Sequence, residues 1–306
     1  MKILLFGKGG QVGWELQRSL APLGELISVD VDSTDLCGDF SNLPGIAATV
    51  RAVRPDVVVN AAAHTAVDKA ESEPEFAHVL NALAPGILAE EAQKLGAWLV
   101  HYSTDYVFDG SGTRAWAEGD QPNPHNVYGK TKLEGELLVA GRCEKHLIFR
   151  TSWVYAARGA NFAKTMLKLA QERDRLTVID DQHGAPTGAD LLADVTAHAL
   201  RKLAQSGSTS GGSAADAKLA GIYHLVAGGS TTWHGYASEV VSFARKMRPN
   251  LAMKVTEISP VPTSAYVTPA KRPLNSRMDT SKLRATFGLS LPRWQDGVRR
   301  MLTEIL

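Results

Sequence analysis

Four glycines follow the first apolar run of the chain, three of them evenly spaced. KILLF (2–6) passes directly into GKGGQVG (7–13), which sets Gly7, Gly10 and Gly13 three residues apart. A short apolar run ending in glycine, followed by apolar residues at Val12, Leu16 and Leu20, reads as strand, tight turn and helix. Glycine at these places lets the turn be tight, lets backbone approach a pyrophosphate, and lets the helix pack on the strand. The first amides of the helix then face the phosphates. The spacing is GxxGxxG rather than GxGxxG, and three glycines alone mark only a turn. Their place between a first strand and a first helix is what points to a dinucleotide.

The same rhythm continues. ELISVD (25–30), PDVVVNAAA (55–63), AWLVHYSTDYVF (97–108) and HLIFRTSWVY (146–155) read as strands. Residues 42–53, 75–95 and KTKLEGELLVAG (130–141) read as helices, the last with Gly141 placed to end it. Strands alternating with helices predict an α/β fold with a Rossmann-type, doubly wound parallel sheet. Continuous apolar runs predict strands buried on both faces. After residue 155 the rhythm loosens. Helices are expected at 161–172, 191–204 and 294–305, and strands at 176–179 and 221–229, among several prolines. Residues 1–155 therefore form a dinucleotide-binding domain, and 156–306 mainly a smaller, mixed substrate-binding lobe. Segments near 190–229 return to the first domain. QSGSTSGGSAADAKLAG (205–221) reads as a flexible surface loop, disordered at its tip.

Composition removes several function classes. A net charge of +1 gives no pull toward nucleic acid or an anionic membrane surface. No apolar run approaches the ~18–20 residues that cross a bilayer. The apolar part of MKILLFGKGG is too short for a signal peptide. Cys37 and Cys143 have no CxxC partner, so a disulfide framework or thiolate metal site is not expected. Two unpaired thiols fit a reducing cytoplasm.

Chemistry enters at three places. Asp30 ends the second strand, 20 residues after Gly10, where a carboxylate accepts the adenosine ribose 2′-hydroxyl. It favours NADH over NADPH, whose 2′-phosphate it repels. YGKTK (128–132) puts Tyr128 and Lys132 four apart, on one helix face. A phenol titrates near ~10 in water. A nearby ammonium lowers that value, and a phenol so tuned protonates a carbonyl oxygen as hydride arrives at carbon. Thr104 follows an apolar strand at the carboxyl edge, where open α/β sheets bind ligands, and is a candidate to hold the substrate oxygen. The YxxxK pattern alone also arises by chance on exposed helices.

Together these features resemble the short-chain dehydrogenase/reductase superfamily, in its extended branch that acts on nucleotide sugars. GKGGQVG (7–13), NAAAHTAVDKAESEP (60–74), HYSTDYVFDG (101–110), NVYGKTKLEGE (126–136), FRTSWVY (149–155) and DQHGAPTGA (181–189) narrow the likeness to the dTDP-4-dehydrorhamnose reductase family. YHLVAGG (223–229) and PTSAYVTPAKRPLNSRMDTSKL (262–283) extend it over nearly the whole length. Only 206–216 looks foreign, as a lineage-specific insert.

The resemblance implies reduction of the C4 ketone of dTDP-4-dehydro-β-L-rhamnose to dTDP-β-L-rhamnose, with NADPH or NADH. It makes Tyr128 the proton donor, Lys132 its partner and Thr104 the carbonyl-binding hydroxyl. On the cofactor side it implies Gly10, Gln11, Val12, Asp30, Asp39, Phe40, Ala63, His64, Thr65, Tyr102, Tyr128 and Lys132, beside the turn glycines Gly7 and Gly13. On the substrate side it implies Thr104, Asp105, Tyr106 and Trp153. Trp153 stacks on the sugar or thymine ring or belongs to the core, and His64 reads more readily as structural than catalytic. Arg272 and Arg277 are candidates to neutralise the diphosphate. Some members of the family form a homodimer through Mg2+ held by glutamates. Glu15 matches one such position, but Asp190 and Gln295 stand where glutamates are expected, which disfavours that metal here. Two alternatives stay open: a reductase or epimerase for another nucleotide sugar, and a non-catalytic NADP-binding regulatory subunit.

Overall fold

The structure, a computed structural model, describes residues 1–207 and 219–306. Residues 208–218, which carry most of the loop expected at 205–221, lie outside the described residues. In chain order the main elements are β1 (Lys2–Phe6), α1 (Gln11–Leu20), β2 (Glu25–Val29), α2 (Leu43–Val53), β3 (Val57–Asn60), α3 (Ala84–Leu95), β4 (Trp98–Thr104), α4 (Val127–Arg142) and β5 (His146–Thr151). They are followed by α5 (Phe162–Glu172), β6 (Arg175–Ile179), α6 (Ala189–Gly207), β7 (Gly221–His224), α7 (Trp233–Met247), β8 (Glu257–Val261) and α8 (Trp294–Ile305).

Six strands form one parallel sheet in the order β7-β5-β4-β3-β1-β2. The alternation of side chains along each strand explains why the apolar runs are unbroken. Ile3, Leu5, Val57, Val59 and Val100 pack against Leu16 and Leu20 of α1 and Leu192 and Leu200 of α6. Leu4, Phe6, Val58, Leu99 and Ile148 pack the other way, against Ile46 and Val50 of α2 and Leu88 of α3. Complete burial of a leucine such as Leu4 or Leu5 contributes about 1.5–3 kcal/mol. The chain leaves β1 toward β2 on one side and returns to β3 on the other. That reversal opens a crevice at the carboxyl ends of β1 and β3, the place where such sheets hold ligands.

The carboxyl-terminal lobe has its own core. Leu176 and Val178 of β6 meet Tyr236, Val240 and Val241 of α7 and Trp294 and Val298 of α8. β6 and β8 pair in parallel through Pro260, tolerated because this sheet has only two strands. Among the described residues no helix is long and apolar enough to cross a membrane.

Several boundaries differ from the sequence expectation. α4 runs through Gly141 to Arg142. α6 extends to Gly207, and β7 ends at His224 rather than at 229. The run 146–155 breaks after Thr151, because Trp153 adopts φ 51, left-handed backbone that a bulky side chain rarely accepts. Helix α7 was not anticipated.

Candidate active site

The glycine turn lies at the crevice. Gly7 has φ 84, and a Cβ there would stand 2.7 Å from the Ala62 nitrogen at the end of β3. A Cβ on Gly13 would stand 1.9 Å from the Gly7 carbonyl oxygen, so α1 can lie this close to β1 only with glycine. Gly10 is the N-cap of α1, whose first turn carries no acidic residue, leaving its amides free of a competing anion. The Gly9 and Val31 amides donate to the Asp30 carboxylate at 2.7 and 2.8 Å. These bonds fix Asp30 beside the turn while each oxygen keeps a further lone pair. Lys8 Nζ donates to Ser33 Oγ at 3.3 Å in the same corner.

The other residues assigned to the cofactor side are distributed around this crevice. Gln11 donates to the Ala160 carbonyl at 3.0 Å, and Val12 packs on the core. Asp39 accepts from the Ser41 amide and hydroxyl, and Phe40 is buried edge-on to Phe6. Ala63, His64 and Thr65 follow β3. The His64 amide donates to Asn81 Oδ1 at 2.8 Å, and Asn81 Nδ2 returns a bond to the His64 carbonyl at 3.1 Å. His64 is therefore clamped by backbone, with its ring edge-on to Phe76. Asn81 also donates to Thr131 on α4 at 3.2 Å. It sits in a π-helical segment, Val79–Leu83, of the kind that recurs at functional sites.

Thr104, Asp105, Tyr106 and Tyr128 converge at the end of β4. Asn126 caps α4, accepting from the Gly129 amide at 2.7 Å. A Cβ on Gly129 would stand 2.3 Å from the Tyr106 carbonyl oxygen. Glycine thus lets α4 close on the turn at 105–107 and brings Tyr128 to Thr104. The Tyr128 and Tyr106 rings meet edge-on with centroids 5.5 Å apart. Thr104 Oγ1 lies 3.0 Å from Asp105 Oδ1 and accepts from the Tyr106 amide at 3.2 Å. Burial pushes the Tyr128 phenol up, with the Thr104 hydroxyl pulling the other way.

Lys132 departs from the expected arrangement. Its Nζ donates to the Tyr102 carbonyl at 2.6 Å and lies 3.3 Å from His101 Nε2. Asn60 fixes the histidine tautomer. Its Oδ1 accepts from the Ala62 amide, so its Nδ2 faces His101 Nδ1, at 3.0 Å. That ring nitrogen must accept, and the neutral imidazole's proton therefore sits on Nε2, facing the amine. Burial lowers the Lys132 amine to about 8, opposed by the Glu136 carboxylate. The expected lowering of the Tyr128 phenol by a lysine ammonium is therefore corrected: burial raises the phenol, and the hydroxyl of Thr104, not Lys132, is what pulls it down. Tyr102 contributes its carbonyl to this site, because its phenol points away to Thr196 at 2.6 Å.

Trp153 is also placed differently from a free sugar platform. Its ring stacks on Trp233 at 3.8 Å and leaves no room for a side chain at Gly184. Trp233 in turn lines a cavity of about 580 Å³ with Tyr106, Phe162, Gln182, Tyr266 and Arg272. Arg272 donates to the Tyr106 hydroxyl at 3.2 Å and to Asp68 at 2.6 Å. Arg277 instead donates to Asn275 and the Thr113 carbonyl, so of the two arginines only Arg272 lines this cavity. Sequence reasoning did not single out Asn60, Asn81, His101 or Trp233. Only Trp233 had a visible signal, at the start of a helical apolar repeat.

The residues named for magnesium already have partners or lack charge. Glu15 is paired with Arg18 at 3.3 Å, Asp190 with Arg300 at 2.5 Å, and Gln295 brings no charge. A hard dication wants uncommitted anionic oxygens. Among the described residues no group of three or more His, Cys, Asp or Glu is placed to hold a metal.

The sequence profile of one family, described as the RmlD substrate binding domain, matches residues 1–306. The chain belongs to this family. It is 62% identical over 305 residues to the dTDP-4-dehydrorhamnose reductase of Salmonella typhimurium, covering 100% of this chain and 98% of that one. Among solved structures of the family, it resembles a dTDP-4-dehydrorhamnose reductase of Clostridium acetobutylicum, with TM-score 0.87 and 35% identity over 100% and 99% of the two chains. A second, from Bacillus anthracis in complex with NADP, has TM-score 0.85 and 34% identity over 99% and 100%.

Proposed function

We propose that the protein reduces the C4 ketone of dTDP-4-dehydro-β-L-rhamnose to dTDP-β-L-rhamnose, using a reduced nicotinamide dinucleotide. The observation that carries this reading is the meeting of Thr104 and Tyr128 at the carboxyl edge of the sheet, between a dinucleotide turn and a lobe cavity. The turn at Gly7–Gly13 and Asp30 would hold the dinucleotide, and Lys132 would serve its nicotinamide ribose. A bound reduced nicotinamide supplies the hydride. Thr104 donates to the ketone oxygen, and Tyr128 gives its proton to that oxygen as negative charge develops there. A phenol raised by burial keeps its proton until the stronger base, the nascent alkoxide, appears.

The site argues against a dehydratase. Removing water across C5 and C6 needs a base beside the threonine. Burial pushes the Tyr106 phenol up to about 12, with the Asp105 charge adding to it, so Tyr106 stays neutral and cannot take the C5 proton. An intact Thr104–Tyr128–Lys132 set argues against a purely regulatory subunit. The test is loss of reduced-nicotinamide absorbance with a panel of 4-keto nucleotide sugars. Turnover of the dTDP-4-dehydro-rhamnose substrate alone supports the reading, and preference for another sugar replaces it.

Two residues extend the test. Arg272 lines the lobe cavity; were it to exchange Asp68 for the substrate diphosphate, Arg272→Ala would raise KM for the nucleotide sugar about tenfold or more, the cost of a charge-assisted bond, while kcat changes little. An unchanged KM removes Arg272 from the site. Lys8 shares the corner of Asp30 through Ser33, where it would meet a 2′-phosphate on the adenosine ribose. Lys8→Ala therefore weakens NADPH and spares NADH, read as the ratio of their KM values. Equal losses for both cofactors contradict that placement.

A further inference from the structure

Thr104 has one proton, and in the resting structure that proton has an owner. A hydroxyl offers one donor and two acceptor positions. Thr104 Oγ1 accepts from the Tyr106 amide at 3.2 Å and lies 3.0 Å from Asp105 Oδ1. If Asp105 is a carboxylate, it can only accept, and it takes the threonine proton. The ketone oxygen is also only an acceptor, so Thr104 then has nothing left to give it. Asp105 is 2% exposed, and its second oxygen, Oδ2, is buried without a hydrogen-bond partner.

We propose that Asp105 acts through Thr104 as a positioning residue: as the neutral acid it donates to the Thr104 hydroxyl and so frees that hydroxyl's proton for the substrate ketone. The inference rests on the reductase reading and adds the protonation state that the site requires. It also removes a negative charge from beside the oxygen on which charge develops. Around the carboxyl stand Thr104 of β4, Tyr106 of the same turn, Tyr128 of α4 and Ser276 of the carboxyl-terminal segment. Of these only the two phenols titrate, and burial keeps both protonated. Arg272, the cation bonded to Tyr106, is paired with Asp68. Burial pushes the Asp105 carboxyl up to about 6, against the nearby Ser276 and Thr104 hydroxyls and the Asp105 and Tyr106 amides, which pull the other way.

The test compares wild type, Asp105→Asn and Asp105→Leu over pH, with NADPH and the dTDP-4-keto sugar. The asparagine amide donates to Thr104 at every pH, whereas leucine neither donates nor accepts. The wild-type kcat/KM is expected to fall as pH rises through about 6, and the Asp105→Asn profile to lack that limb. Their ratio should therefore climb about tenfold per pH unit between pH 6 and 8. Asp105→Leu is expected to be slow throughout, with NADPH affinity retained as the check on folding. The proposal is overturned if Asp105→Asn keeps the wild-type limb, or loses turnover as deeply as Asp105→Leu at all pH values. Wild-type protein that turns over no 4-keto sugar at any pH overturns the reductase reading itself, and this inference with it.

Discussion

Tyr128→Phe is expected to lower kcat by about a thousandfold, within the range that a positioned general acid contributes. The substitution removes one oxygen and leaves the ring, whose edge contact with Tyr106 has centroids 5.5 Å apart. The clamps around it do not involve that oxygen. Asn126 caps α4, Gly129 admits the Tyr106 carbonyl, and Lys132 is anchored on the Tyr102 carbonyl. Cofactor dissociation constant and melting temperature should therefore stay close to wild type. Thr104 remains to donate to the ketone, so a small residual rate is expected rather than none. Stopped-flow single turnover separates the chemical step from product release. A variant with wild-type single-turnover rate shows that another group protonates the alkoxide.

The sheet and its ligand edge were legible in the sequence because each rests on a local signal. Glycines at 7 and 13 sit where a Cβ would run into backbone, and unbroken apolar runs at β1, β3 and β4 are what strands covered on both faces require. Tyr128 and Thr104 were legible as a pair for a similar reason: one starts the helix that follows a strand, and the other ends that strand. Helix α7 was also written in the chain, with Tyr236, Val240, Val241 and Ala244 on one buried face. The surrounding glycines and prolines masked it.

What the sequence hid is direction. YxxxK spacing puts two side chains on one helix face, but it does not say which atoms they reach. Lys132 is held by a carbonyl of β4 and stands beside the protonated Nε2 of His101, both supplied by the sheet beneath. That contact depends on Asn60, 72 residues earlier, whose orientation is set by the Ala62 amide. The position of Trp153 was likewise out of reach, because its ring is held by Trp233 across the lobe. Asp190 met Arg300, 110 residues later, which no spacing rule would pair with it, whereas Glu15 met Arg18 three residues on along α1. Partners distant in sequence decide charge and orientation, while strands, turns and helices are decided nearby.

Glu136→Ala is expected to be the most destabilising single change near the site. Arg150 of β5 donates from Nε and Nη2 to the two Glu136 oxygens at 2.9 and 2.6 Å, and both side chains are at most 2% exposed. Removing the carboxylate leaves a buried guanidinium with, among the described residues, only the Phe108 ring, 5.0 Å away, as a remaining favourable neighbour. Breaking such a pair costs about 3–5 kcal/mol, a fall in melting temperature of about 10 °C for a chain of this size. Replacing both members with apolar residues, Glu136→Leu with Arg150→Met, should recover most of that loss, because the desolvation of two charges disappears with them. Stability and chemistry then part. Glu136 is the neighbour that raises the Lys132 amine against burial. In the double variant Lys132 therefore gives up its proton at lower pH than in wild type, and any limb of the activity profile that it controls, near about 8 in wild type, moves to more acid values. Thermal melts of the three proteins and their pH–rate profiles read the two effects apart. A single variant melting within about 2 °C of wild type, far short of the expected cost, would show that water or a new partner reaches Arg150, and that the pair does not hold α4 to the sheet.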